Sequence, residues 1–171
     1  PDTKSATVVA DGMEIPYQID DFDKDGNADE LCFLTNLKGR ETKTVTVTLS
    51  DKTQAREWTP RTFAEIVLRN PSVKVKNKHD IYLSSITIDK RTTNPYNVLH
   101  HHGVAFESDL IGMRIYMDKR QTIDLYGKFH KGLEIEQTQF YTTKEQKAQG
   151  FGDDVLWVGN TFGLGAFRGW D

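Results

Sequence analysis

The sequence predicts an all-β fold, an antiparallel β-sandwich with few or no helices that could form part of a larger supersandwich. Three observations predict it. Short segments rich in β-branched and aromatic residues recur along the chain, several with period-two alternation. Clusters of Gly, Asn, Asp and Pro separate them. Helical signal is confined to one short stretch. At 171 residues a single β-rich domain over 1–171 is expected, long enough to bury a sizeable core. The chain starts at Pro1 and ends in GAFRGWD, so it reads as a fragment of a longer protein.

The flanks IPYQI and LCFL of an acidic stretch read as strands. TKTVTVTLS (42–50) alternates β-branched apolar and hydroxyl residues, the pattern of a half-buried strand. In FAEIVLR (63–69), Ala64, Ile66 and Leu68 are expected to face inward. DIYLSSITID (80–89) is rich in β-formers, and MRIYMD (113–118) and TIDLYGK (122–128) alternate cleanly. LEIEQTQFY (133–141) and DVLWVG (154–159) are the last expected strands. Between them, TTKEQKAQG (142–150) reads as a short helix, with Thr142 or Thr143 as N-cap, Gln146 near the capping-box position and Gly150 as its stop.

Composition excludes some function classes. Hydrophobic residues are 37% and charged residues 27%, which suits a globular protein and argues against disorder. Net charge is −3, and basic residues are scattered, as in VKVKNK (73–78), so no nucleic-acid partner is expected. No apolar run is long enough to span a bilayer. Cys32 is the only cysteine and cannot form an internal disulfide.

Within DDFDKDGNADELCFL (20–34), six acidic side chains fall in eleven residues. Counted from Asp21, carboxylates occupy positions one, three, five and nine (Asp21, Asp23, Asp25, Asp29). Gly26 is at six and Asn27 at seven, where a backbone carbonyl can be offered. That spacing wraps a chain around Ca²⁺ through oxygen ligands, and a structural calcium is expected. Cys32 stands at position twelve, where an EF-hand has its bidentate Glu, and the flanks are strands, so the loop is not an EF-hand. The alternative is a solvated acidic turn with Asp25-Gly26 as a hairpin signal.

Alternation across Lys119–Gln121 places Arg114, Tyr116 and Asp118 on one strand face. It places Thr122, Asp124, Tyr126 and Lys128 on the matching face of the next strand. A three-residue loop would pair Tyr116 with Asp124 and Arg114 with Tyr126, keeping polar against polar. Arg and Lys there can bind carboxylates, and the tyrosines can stack on sugar rings. An ordinary exposed face with cross-strand ion pairs is the competing reading.

In HHHGVAFESD (100–109), an extended chain would point His100 and His102 one way and His101 the other. The run matches no zinc-finger or HExxH spacing, although a pair of histidines could meet Glu107 in space. GNTFGLGAFRG (159–169) lacks phosphate-loop spacing. Its Phe162, Phe167 and Trp170 are expected to close the core.

IPYQIDDFDKDGNADELCFL, HHGVAFESDLIGMRIYMDKRQTIDLYGK and GFGDDVLWVGNTFGLGAF, in that order and spacing, resemble the family catalogued as domain of unknown function 4861, from about Ile15 to Phe167. That resemblance implies an exported protein, periplasmic or at the cell surface, in bacteria that degrade uronate-containing polysaccharides. The family pattern falls on His102, Gly103 and Glu107, on Arg114, Tyr116, Asp118 and Arg120, and on Asp124, Gly127 and Lys128. Trp157 stands where a more polar residue would be expected.

Two functions follow as expectations. The first is a hydrolase or lyase on acidic glycans. His102, Glu107 and Asp124 would be its acid and base groups, and Arg114, Tyr116, Arg120, Tyr126 and Lys128 would hold an oligo- or polysaccharide. The second is a non-catalytic, calcium-stabilised glycan-binding or structural β-domain, with Tyr116, Tyr126 and Trp157 as platforms.

Overall fold

The computed structural model describes residues 2–70, 72, 79–89 and 94–166. The VKVKNK segment and the expected core aromatics Phe167 and Trp170 lie outside them. Among the described residues the fold is mostly β, with antiparallel sheets, one short α-helix and no closed barrel. No helix among these residues is long and apolar enough to cross a membrane. The chain divides into two compact units, Pro1–Thr59 and Pro60–Asp171.

The first unit holds β1 (Ser5–Ala10), β2 (Met13–Glu14), β3 (Tyr17–Asp20), β4 (Glu30–Phe33) and β5 (Val45–Ser50). β1 is central in a three-stranded sheet of order β2-β1-β5. Asp11 and Gly12, both with positive φ (54° and 76°), close the β1–β2 hairpin. That pair of left-handed residues matches the twist of the flanking strands. β3 and β4 pair from Tyr17 opposite Phe33 to Asp20 opposite Glu30, so the acidic stretch is the loop of a hairpin.

The second unit holds β6 (Thr62–Glu65), β7 (Val67–Arg69), β8 (His79–Tyr82), β9 (Gly103–Ser108), β10 (Ile111–Tyr116), β11 (Ile123–Gly127), α1 (Lys144–Ala148) and β12 (Asp153–Asp154). β7 and β8 pair with each other, and the main sheet runs β12-β11-β10-β9-β6. α1 has the expected ends. Thr143 accepts from the Gln146 amide, the Gln146 side chain returns the bond, and Gly150 follows with φ 90°.

Three local expectations are corrected. FAEIVLR is two strands, and its buried residues are Glu65 and Val67 rather than Ala64, Ile66 and Leu68. The face is set by Glu65, whose carboxylate has buried partners. LEIEQTQFY is not a strand but holds a 3-10 turn at Ile135–Gln137, because the Glu134 and Ile135 amides go to the Glu107 carboxylate instead of a ladder. The β10–β11 register is two residues away from that expected. Arg114 lies opposite Asp124 and Gly112 opposite Tyr126, and Tyr116 N donates to Thr122 O, so the loop is Met117–Gln121. Its left-handed residue is Gln121, with φ 52°. A two-residue slip preserves side-chain faces, so the expected polar face survives.

Candidate functional site

That polar face is the buried one. Arg114, Asp124 and Tyr126 are fully buried, as are Glu107 and Tyr116 to within a few per cent. The aliphatic face of the same strands, with Val104, Met113, Ile115, Ile123 and Leu125, is only half-buried. Charges removed from water must be paired and hydrogen-bonded, and two networks do this.

Arg114 is the hub of the first. Its Nε and Nη2 donate to Asp124 Oδ2 at 2.9 and 2.6 Å. Nη2 also faces Tyr116 Oη, Tyr141 Oη at 2.9 Å and Asp154 Oδ2 at 3.3 Å. The guanidinium carbon lies 4.0 Å from the Phe140 ring centre and 4.4 Å from that of Tyr116. Leu125 N donates to the other oxygen of Asp124. In the second network Lys128 Nζ donates to Glu107, to Ser108 O at 2.7 Å and to Gly132 O at 2.5 Å. Glu107 accepts the Glu134 and Ile135 amides at 2.9 Å. Tyr126 Oη donates to Glu134 at 2.8 Å.

Beside the first network opens a cleft of about 590 Å³, lined by Tyr96, Tyr116, Arg120, Tyr141, Asp154 and Trp157 among others. β12 and the segment after it supply Asp154 and Trp157, and the chain before α1 supplies Tyr141. Trp157 is 92% exposed, and Tyr141 is exposed as well. Asp118 clamps Arg120 through Nε and Nη2 at 2.9 and 2.6 Å, and Nη1 donates to Gly159 O, so the guanidinium is fixed at the wall. Burial pushes the Asp154 carboxyl above its usual range, and nearby Asp124 adds to this, against the opposing pull of the Leu156 amide, Arg114 and Tyr141.

The residues singled out in the sequence divide accordingly. Tyr116 and Arg120 line the cleft. Arg114 and Asp124 lie behind it, joined to it through Tyr116, Tyr141 and Asp154. Glu107, Tyr126 and Lys128 are saturated by the second network and do not line the cleft. Tyr126 is too deeply buried to serve as a platform. His102 stacks flat on Tyr96 at 4.0 Å between ring centres, and its Nδ1 contacts Tyr96 O at 2.8 Å. Burial also lowers its pKa, so it stays neutral near neutral pH. Tyr96, Tyr141 and Asp154 escaped sequence reasoning. Adjacent acids in GDDVLWVG were the available signal for Asp154; nothing local marked the two tyrosines.

In the first unit the acidic loop folds its carboxylates inward. Asp21 accepts the Gly26 amide at 2.9 Å, and Asp29 accepts the Phe22 amide at 2.7 Å. Asp23 accepts the Asp25 amide at 3.1 Å. One oxygen each from Asp21, Asp23 and Asp29 lie within 4.8 Å of one another, and Asp21 Oδ1 is buried without a partner. Asp25 turns to Asn27 instead, accepting from its backbone and side-chain nitrogens. Gly26, with φ 89°, supplies the turn.

The chain belongs to the family described as Domain of unknown function (DUF4861), whose model matches residues 1–171. No curated protein and no solved structure matches it.

Proposed function

We propose that this protein binds and acts on glycan chains containing uronate units, in the cleft beside Arg114. The observation that carries the reading is the wall chemistry. An indole that is 92% exposed stands with three tyrosines around a recessed carboxyl and a fixed guanidinium. Sugar rings present apolar faces and polar edges, which suit exposed aromatic planes beside charged groups. Trp157 and Tyr141 would stack on rings. Arg120 is the cation among the described lining residues and would face the uronate carboxylate. Asp154, raised by its burial, would donate a proton to the departing glycosidic oxygen, a step shared by hydrolysis and elimination.

The test is binding to matched oligosaccharides with and without uronate units, followed by tryptophan fluorescence and calorimetry. Products are followed by mass and by absorbance of new double bonds. Uronate oligomers are expected to bind, and Trp157→Ala is expected to weaken them by roughly tenfold or more, the loss of about 1–3 kcal/mol of stacking. No binding across the panel would remove the reading. Binding without turnover would leave the second reading, a non-catalytic glycan-binding domain, which the exposure of Trp157 supports equally.

The loop of Asp21, Asp23 and Asp29 is further proposed to hold a structural Ca²⁺, as suits an exported protein. The converging oxygens and the unpartnered Asp21 Oδ1 fit a hard cation, with Asn27 able to add its backbone carbonyl. Saturating calcium at about 100 times its Kd would add about 2.7 kcal/mol to this unit. Thermal unfolding with EGTA, against excess Ca²⁺, is expected to show a melting point lower by several degrees. An unchanged melting point would count against the ion.

A further inference from the structure

The histidine run is not extended. It forms a 3-10 turn in which His101 (φ 53°, ψ 14°) and His102 (φ 62°) are both left-handed. Two consecutive non-glycine residues in that region are costly, and such strain persists where the surroundings enforce it. Its effect is to turn His100 and His101 the same way, towards Glu65 on β6. His100 Nδ1 lies 2.5 Å from Glu65 Oε1, and His101 Nε2 lies 3.4 Å from the same oxygen and 3.0 Å from Ile135 O. One donor atom from each of the three side chains falls within 4.8 Å of the other two, and all three residues are buried.

We propose that Glu65, His100 and His101 bind a divalent first-row transition ion, with Zn²⁺ the best fit and Ile135 O within reach as a fourth ligand. The donor set is two imidazoles and one carboxylate, which suits zinc, cobalt or nickel rather than calcium or magnesium. A tetrahedral zinc with bonds of 2.0–2.2 Å has donors about 3.3 Å apart; the edges around His101 Nε2 are 3.4 and 3.0 Å, and the 2.5 Å edge between His100 Nδ1 and Glu65 Oε1 would open as the ion replaces that hydrogen bond.

Electrostatics favour the same occupant. Glu65 is a buried carboxylate whose ion-pair partners among the described residues are these two histidines. A dication would compensate the carboxylate and take an imidazole nitrogen from each histidine as ligand.

The surroundings supply an orienting partner. With His100 Nδ1 on the ion, Nε2 carries the ring proton. The Gln139 side-chain amide lies 3.0 Å from it and can accept through its oxygen, since the two ends of an amide are interchangeable by rotation. His79 stacks on the outer side of His100 at 4.9 Å. The ion would tie β6 to the turn leading into β9 and to the segment at Ile135. Its burial makes it a brace of the second unit rather than a substrate-activating centre. It is distinct in place and in donor type from the oxygen-only acidic loop.

The test is metal content of the purified full chain by mass spectrometry, then titration of chelator-stripped protein with Co²⁺ and Zn²⁺. One equivalent of Co²⁺ with the intense visible absorption of a tetrahedral site, displaced by Zn²⁺, is expected. Glu65→Gln should abolish stoichiometric uptake, and Gln139→Ala should weaken it by about 10- to 100-fold. Asp21→Asn with Asp23→Asn should leave it intact. If Glu65→Gln fails to fold, melting of the stripped wild-type chain decides. Zn²⁺ but not Mg²⁺ is then expected to raise the melting point. The proposal is overturned if the wild-type chain takes up neither Co²⁺ nor Zn²⁺, if Glu65→Gln retains the Co²⁺ spectrum, or if only the acidic-loop variant loses uptake.

Discussion

Arg114→Ala is expected to cost the second unit about 3–5 kcal/mol, a large part of the stability of an ordinary domain. The loss arises from what remains behind. Asp124 has no exposed surface, and Arg114 supplies its charge compensation through Nε and Nη2. Without the guanidinium that carboxylate must stay ionised in the interior or take up a proton, and either is costly. Packing over Phe140 and Tyr116 is lost as well. Denaturant unfolding of Arg114→Ala, Asp124→Ala and the double variant measures this. The two effects are expected to be strongly non-additive, with the double variant more stable than the sum of the singles predicts. A single-variant loss below about 1 kcal/mol, or simple additivity, would show that the pair is not the keystone of the face.

The same arginine shows what the sequence discloses and what it conceals. Alternation in MRIYMD and TIDLYGK gives the correct grouping of side chains, because period two depends only on the strand itself. It does not say which group faces inward. Composition suggests that Ile115 and Leu125 belong inside and Arg114 and Asp124 outside, yet the ionic group is the more deeply buried. The decision is made by Phe140, Tyr141 and Asp154, which arrive from distant parts of the chain to cover the guanidinium and accept from its Nη2. Register was hidden for a related reason. A loop without glycine gave no turn type, and Gln121 accepts the left-handed position unannounced. By contrast α1 was readable with its N-cap narrowed to Thr142 or Thr143, since a capping box is a local device. The cleft was the least legible feature. It is assembled from Tyr96, Tyr116, Tyr141 and Trp157, whose meeting depends on the β12-β11-β10 order rather than on any motif.

Asp154→Asn separates chemistry from architecture, because its two expected effects run in opposite directions. If Asp154 delivers the proton to the leaving oxygen, amide replacement should lower turnover of a cleaved uronate oligomer by about 10²- to 10⁴-fold. Binding should change little, since the aromatic planes and Arg120 are untouched. Stability should not fall. In the folded state this carboxyl titrates above the ordinary range of an aspartate, chiefly through burial. A raised acid favours the folded state while protonated. That contribution is complete below the unfolded value and is lost as pH rises through the folded one. Once ionised, the group is therefore a net cost, which asparagine removes. Melting curves taken from about pH 4 to about pH 7 should show the variant gaining on the wild type as pH rises. Such an exchange of stability for function is expected of a catalytic acid held in a partly desolvated setting. A variant that melts lower at neutral pH, and turns over normally, would instead make Asp154 a second structural counter-ion of Arg114 at 3.3 Å.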